Sequence, residues 1–231
     1  MQRRYWIIGA FVVIIATAFL SWRYLPKPAP AFPIDPADVI SSWSFKGTYT
    51  GNQPFTDQAN ADIAHLNALL GKGQYDDYDI HIGLANDYVL LGDGAKAYDE
   101  YDRAIAVHTE KGLGYANLAH LMALLGAKET AAKAYAKATS VEPGVLEYHL
   151  ERLDFLTKTF PKDTPRLLSA FTDAAKQFGD VAQVLVIEAQ WLEGQKRYAD
   201  AIKALERAKL LSPGRDTSAI DAQIARDKAK L

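Results

Sequence analysis

The sequence predicts an all-α protein, an array of helix hairpins preceded by a single transmembrane helix. Three observations predict it. Two stretches of the chain superimpose on each other at a constant offset of 34 residues; from Asp57 onward one amphipathic helical segment follows another; and the N-terminal region contains an uninterrupted charge-free apolar run. Residues 1–25 read as a leader, 26–38 as a proline-rich spacer, 39–56 as an aromatic segment and 57–231 as the helical repeat domain.

The leader comes first. Tyr5 to Trp22 runs for 18 positions without a charge. As a helix it would span roughly 27 Å, close to the hydrocarbon thickness of a bilayer. Tyr5 and Trp6 at one end and Trp22 and Tyr24 at the other stand where amphipathic rings prefer the headgroup layer, with Arg23 able to snorkel to the same level. An uncleaved signal anchor is the reading these residues favour. The alternative is a cleavable signal peptide, with Arg3 and Arg4 as its basic region and Ala16-Thr17-Ala18 as the small-residue site, but Phe19, Leu20 and Trp22 continue the apolar run past that cut. A buried core helix is the third option. Arg3 and Arg4 outweigh Arg23 and Lys27 modestly, which places the N-terminus in the cytoplasm and the body outside it.

Leu25 to Pro36 holds five of the chain's ten prolines, a composition that favours an extended, semi-rigid spacer; a proline-rich recognition ligand is the alternative. Val39 to Thr56 carries Trp43, Phe45, Tyr49 and Phe55, too many aromatics for a solvated linker. Packing onto the first helices as a lid is the expected role, and a partner-binding arm the competing one.

In the body, Asp57 is the predicted cap of a helix through Leu70, ended by Gly71-Lys72-Gly73. The 34-residue offset then pairs Leu84 with Leu118, Ala85 with Ala119, Gly92 with Gly126, Ala97 with Ala131, Tyr101 with Tyr135 and Ala104 with Ala138. Small residues at the alanine positions let two helices of a hairpin approach closely, the tyrosines fill the space between hairpins, and the glycines end the first helix of each pair. On these positions the sequence resembles the tetratricopeptide repeat family. The frame recurs at Ala189, Leu192, Tyr198, Ala201, Leu205, Ala208 and Pro213, where Pro213 lies two repeats plus two residues after Pro143. Between them a degenerate repeat puts Phe160-Pro161 at the glycine turn and Arg152 where leucine is expected, with helices predicted at Val145 to Thr159 and Thr164 to Phe178. Thr109 stands where the first repeat should close on proline, a departure from the family pattern. Thr217 to Lys230 reads as a capping helix over the last apolar face. The resemblance implies a right-handed superhelical solenoid of four repeats and a cap.

It also implies a site, the concave surface lined by the first helix of each repeat. Carried onto this chain, the groove positions are Asp79, Ile82, Asn86 and Val89, then Ala116, Asn117, His120 and Ala123, then Glu147, Leu150, Glu151 and Asp154. Asn86 and Asn117 fall where chaperone-binding members place the asparagines of a carboxylate clamp. The clamp's cations do not follow, because Ile82, Glu147 and Glu151 occupy their positions, so a C-terminal carboxylate would meet like charge. The asparagines remain candidates to bond the backbone of an extended peptide, or are plain polar residues of the groove.

Charge and composition narrow the rest. The formal net charge is −2, without the basic excess that drives nonspecific nucleic-acid binding, and with the three leader arginines set aside the remainder is net −5. Asp57 to Asp102 holds ten acids and two basic residues, whereas Lys196 to Lys230 holds nine basic residues and five acids. That gradient suits a basic or amide-rich ligand, head-to-tail contact with a second copy, or solvated convex faces. The absence of cysteine removes disulfides, thiolate metal sites, a thiol nucleophile and a lipid anchor on Cys. The five histidines are isolated, with His81 and His149 at the large packing position of their repeats; no HExxH spacing, calcium loop, phosphate loop or nucleophile elbow occurs. The expectation is therefore a binding protein without cofactor, metal or enzymatic activity, whose partners are a protein or peptide in the groove and a membrane at the N-terminal helix, with self-association open. Membrane-anchored scaffolding of an envelope or secretion complex is the leading function. A structural subunit of a fixed oligomer, its groove unused, is the alternative.

Overall fold

Side-chain oxygens one or two positions ahead of each apolar run mark where several helices of this protein begin. A computed structural model describes residues 29–231; the predicted membrane helix lies outside the described residues. Helix α1 spans Gln53–Leu69, and Asn52 rather than Asp57 caps it, its side chain accepting from Phe55 N. The helix thus starts one turn earlier than predicted. Pro54 is tolerated because first-turn amides need no intrahelical partner, and Asp57 instead accepts a bond from Gln53 within that turn. Four hairpins follow: α2 (Asp77–Leu91) with α3 (Gly94–Val107), α4 (Gly112–Leu124) with α5 (Lys128–Val141), α6 (Leu146–Thr159) with α7 (Thr164–Phe178), and α8 (Ala182–Gly194) with α9 (Tyr198–Leu210). Helix α10 (Ser218–Lys228) packs on α9 at the end of the array, as a cap should. Among the described residues no strand forms and no helix is long and apolar enough to cross a membrane.

The repeat alanines do what their size predicts: Ala85, Ala97, Ala104, Ala119, Ala131 and Ala138 are fully buried where helix backbones meet. Leu118, Leu121 and Met122 fill the first core, and Leu153, Leu167 and Leu205 the second. Phe155 of α6 packs against both, joining the strongly patterned half of the array to the degenerate one. His81 and His149 are buried as packing residues; His81 is bonded to buried Glu100 at 2.6 Å, and His149 to the Pro143 carbonyl at 3.1 Å.

The aromatic segment is a strap, with Trp43 and Phe45 packed on the first core and Trp43 set 5.5 Å from the Tyr98 ring. Its backbone bonds the α2–α3 turn through Phe45 N to Gly92 O, Tyr49 N to Leu90 O and Gly94 N to Trp43 O. The strap begins earlier than expected. Phe32 and Ile34, assigned to a free spacer, also pack on this core, and Phe32 N donates to Asp102 at 2.7 Å. Asp38 accepts from Glu129 N, Thr130 N and the Thr130 hydroxyl, capping α5, which has no cap of its own. An apolar Phe-Pro-Ile sequence beside a carboxylate of that reach docks rather than stretching into solvent.

At the other end, α10 carries Asp227, fully buried with neither carboxylate oxygen hydrogen-bonded, and Gln223, which bonds Glu193 of α8. Burial, then the neighbouring Asp227, raise the Glu193 carboxyl above its ordinary value, opposed by Gln223 and Lys230. An acid whose pKa is raised by folding binds its proton more tightly in the docked state, so this group favours docking at pH below its ordinary value and opposes it as pH climbs through the raised one. Glu193→Gln should therefore raise Tm at pH 7.5 and lose that advantage near pH 4.5; an equal shift at both values would remove the electrostatic explanation.

Candidate functional site

The A helices α2, α4 and α6 bring six of the sequence-predicted groove residues around one cleft of about 280 Å³: Asn86, Val89, Ala116, Asn117, His120 and Glu151. Leu90 and Tyr101 complete its lining. The floor is organised by a hydrogen-bond relay. Tyr101, from α3, is 3% exposed, and its hydroxyl donates to Asn86 Oδ1 at 2.6 Å. Burial raises the phenol pKa well above its ordinary value, keeping the hydroxyl protonated as a donor. Asn117 Nδ2 donates to the same oxygen at 3.4 Å. The Asn86 oxygen is thus used up by the protein, leaving its NH2 to donate and the Asn117 oxygen to accept. One donor and one acceptor on adjacent helices match the two groups that an extended backbone offers.

Glu151 forms the far wall. Burial is the main cause of its raised carboxyl pKa; Glu147 adds to it and His120 opposes it. Glu151 also faces a second, larger cleft of about 550 Å³ between α6, α8 and α10, lined by Leu150, Asp154, Val186, Ile187, Arg215 and Ile220 among others. Two predicted positions beyond the first cleft, Leu150 and Asp154, lie here.

The remaining predicted residues are elsewhere. Ile82 is 7% exposed and belongs to the first core, so it is a packing residue and not a groove contact. Ala123 packs against that core too. Asp79 and Glu147 are exposed on their helices and line neither cleft. Sequence reasoning missed Tyr101, whose repeat position reads as inter-hairpin filler, and every cleft contact from α8. A signal for α8 existed: stepping one repeat plus the two-residue excess takes Glu147 to Gln183 and Leu150 to Val186, both of which line the second cleft. Among the described residues no cluster of three or more His, Asp or Glu is placed to hold a metal ion.

The hairpin order and the alanine contacts together define an all-helical solenoid with a tetratricopeptide-repeat-like fold. No protein-family model matches the chain, and no curated protein matches it. Its similarity is to solved structures. The crystal structure of MamA aligns at a TM-score of 0.53 and 13% identity, covering 79% of this chain and 95% of MamA. TTC0263, a thermophilic TPR protein of Thermus thermophilus, aligns at 0.50 and 17% identity, covering 79% and 97%. YrrB, a TPR protein with an unusual peptide-binding site, aligns at 0.50 and 16% identity, covering 76% and 95%. At such identities the likeness is one of fold.

Proposed function

We propose that this protein is a membrane-anchored scaffold that holds an extended segment of a partner protein along the groove of its repeat domain. The observation that carries the reading is the Asn86–Asn117 pair, locked by Tyr101 so that a free donor and a free acceptor face the cleft. YrrB, with its peptide-binding site, supports this use of the fold. A partner's C-terminal carboxylate is a poor ligand for the asparagine cleft, because Glu151 lies in it with Glu147 near, and no lysine or arginine lines it. On this reading the Tyr5–Trp22 segment anchors the chain with its N-terminus in the cytoplasm, and the body works on the outer side, in assembly or maturation of an envelope or secretion complex.

In vivo crosslinking and pull-down of the full chain from its native host tests the groove. Asn86→Ala with Asn117→Ala should reduce partner affinity roughly thirtyfold, since each of the two lost bonds to a polypeptide backbone is worth about 1 kcal/mol. Unchanged recovery from a normally folded double variant would remove the groove from the mechanism. External protease added to spheroplasts should digest the body; a body shielded from it would reverse the orientation.

A further inference from the structure

The second cleft differs in chemistry from the first. Leu150, Val186, Ile187 and Ile220 expose aliphatic surface into it from three helices, and its size falls within the roughly 300–1,000 Å³ of sites that enclose compact organic ligands. Nothing comparable to the asparagine pair stands in its walls. Its charges are divided: Glu151 and Asp154 stand on the α6 side, and Arg215 on the α9–α10 loop is the one cation of the lining. Asp154 is already paired with Lys158 at 2.7 Å, whereas Glu151 makes no ion pair among the described residues. Because Glu151 borders both clefts, a ligand crossing from one to the other must pass it.

We infer that this cleft is the anchoring subsite of the groove and that it takes a basic–aliphatic stretch of the partner polypeptide, with aliphatic side chains seated among Leu150, Val186 and Ile220 and a lysine or arginine of the same stretch against Glu151. The inference rests on the groove being the partner-binding face. Charge complementarity selects the occupant. An apolar wall alone would accept any greasy segment, but on the α6 side, away from Arg215, the unpaired carboxylate of Glu151, with Glu147 adding negative potential, disfavours an acidic one and attracts a cation. Burial and Glu147 hold the Glu151 carboxyl pKa up against His120, and a bound basic residue would add a cation that favours the charged carboxylate. Acetylated, amidated ends are the right form of probe, because an internal segment carries no terminal carboxylate for Glu151 to repel.

The test is fluorescence anisotropy on the full chain in nanodiscs of zwitterionic lipid, using labelled peptides of about ten residues that alternate Leu with Lys, Leu with Glu, or Ser with Lys. The Leu/Lys peptide should bind at least roughly tenfold more tightly than either of the others. Glu151→Lys and Val186→Asp should each weaken it about tenfold, while Asp99→Lys, an exposed acid on α3, should leave it unchanged. Glu151 stands partly desolvated at the cleft wall with much of its surface still open to solvent, so its replacement tests the charge without disturbing the core. Equal binding of the Ser/Lys peptide, equal binding of the Leu/Glu peptide, or cleft variants without effect would each overturn the assignment, as would laurate binding the cleft in place of the peptide. If the asparagine double variant abolishes partner recovery while the Leu/Lys peptide shows no preference, the groove stands and only the assigned ligand chemistry falls.

Discussion

Gly92→Ala is expected to lower stability by about 3 kcal/mol, where Gly126→Ala, at the same position of the next repeat, should cost only about 1 kcal/mol. Both glycines end the first helix of a hairpin with positive φ, 81° and 78°, and both therefore incur the left-handed penalty when a Cβ is added. They differ in what lies next to them. A Cβ on Gly126 would meet open space, while one on Gly92 would overlap the Phe45 carbonyl and press on Gly47 of the strap. Relief requires the strap to lift, which breaks the Phe45–Gly92 and Gly94–Trp43 backbone bonds and uncovers Trp43 and Phe45. Urea unfolding followed by tryptophan fluorescence measures both variants. Equal costs at the two positions would mean that the strap contributes nothing at Gly92.

Trp191→Ala carries the other large effect, about 3–5 kcal/mol by the usual cost of deleting a buried tryptophan. Trp191 is 5% exposed, its ring lies 5.9 Å from Phe171 of α7, and its Nε1 donates to the Pro161 carbonyl at 2.9 Å, beside Gln195, which bonds the same oxygen. Helices α7 and α8 have little other contact, so these groups hold α7 to the fourth hairpin, while α6 meets α8 separately. In a linear array each repeat leans on its neighbours only, and weakening one interface splits the unfolding into separate steps. Hydrogen exchange should therefore show α7 losing protection in Trp191→Ala while α4 and α5 keep theirs; uniform loss along the array would argue for a single cooperative unit. Trp191→Phe, keeping the ring contact and losing the hydrogen bond, should cost about 1 kcal/mol.

Much of this architecture was legible before any coordinates. The leucine, alanine and tyrosine offset pairs, from Leu84–Leu118 to Ala104–Ala138, mark buried contacts because a helix-period pattern reports which face each residue presents, and that face is set by neighbours three and four positions away. The same reading found the hairpin without a glycine turn, α6 and α7, since Pro161 and Pro165 can stand only in a turn and at a helix start. The groove was half legible. Six positions converge on one cleft, but Ile82 is buried in the first core, a fact of packing and not of spacing.

The chain's own pattern of apolar, small and helix-ending residues determined its helices and their pairing into hairpins, since those are consequences of local periodicity repeated at one interval; the expectation that α2, α4 and α6 line the groove came from the family resemblance. Only the tertiary structure decided that Phe32 and Ile34 belong to the body, that Asp38 caps α5, that Tyr101 orients the Asn86 amide, and that Glu151 stands between two clefts of different chemistry. Each of these joins elements that the array brings together in space, and a hydrogen bond between residues far apart in the chain leaves no periodic trace in either segment that makes it.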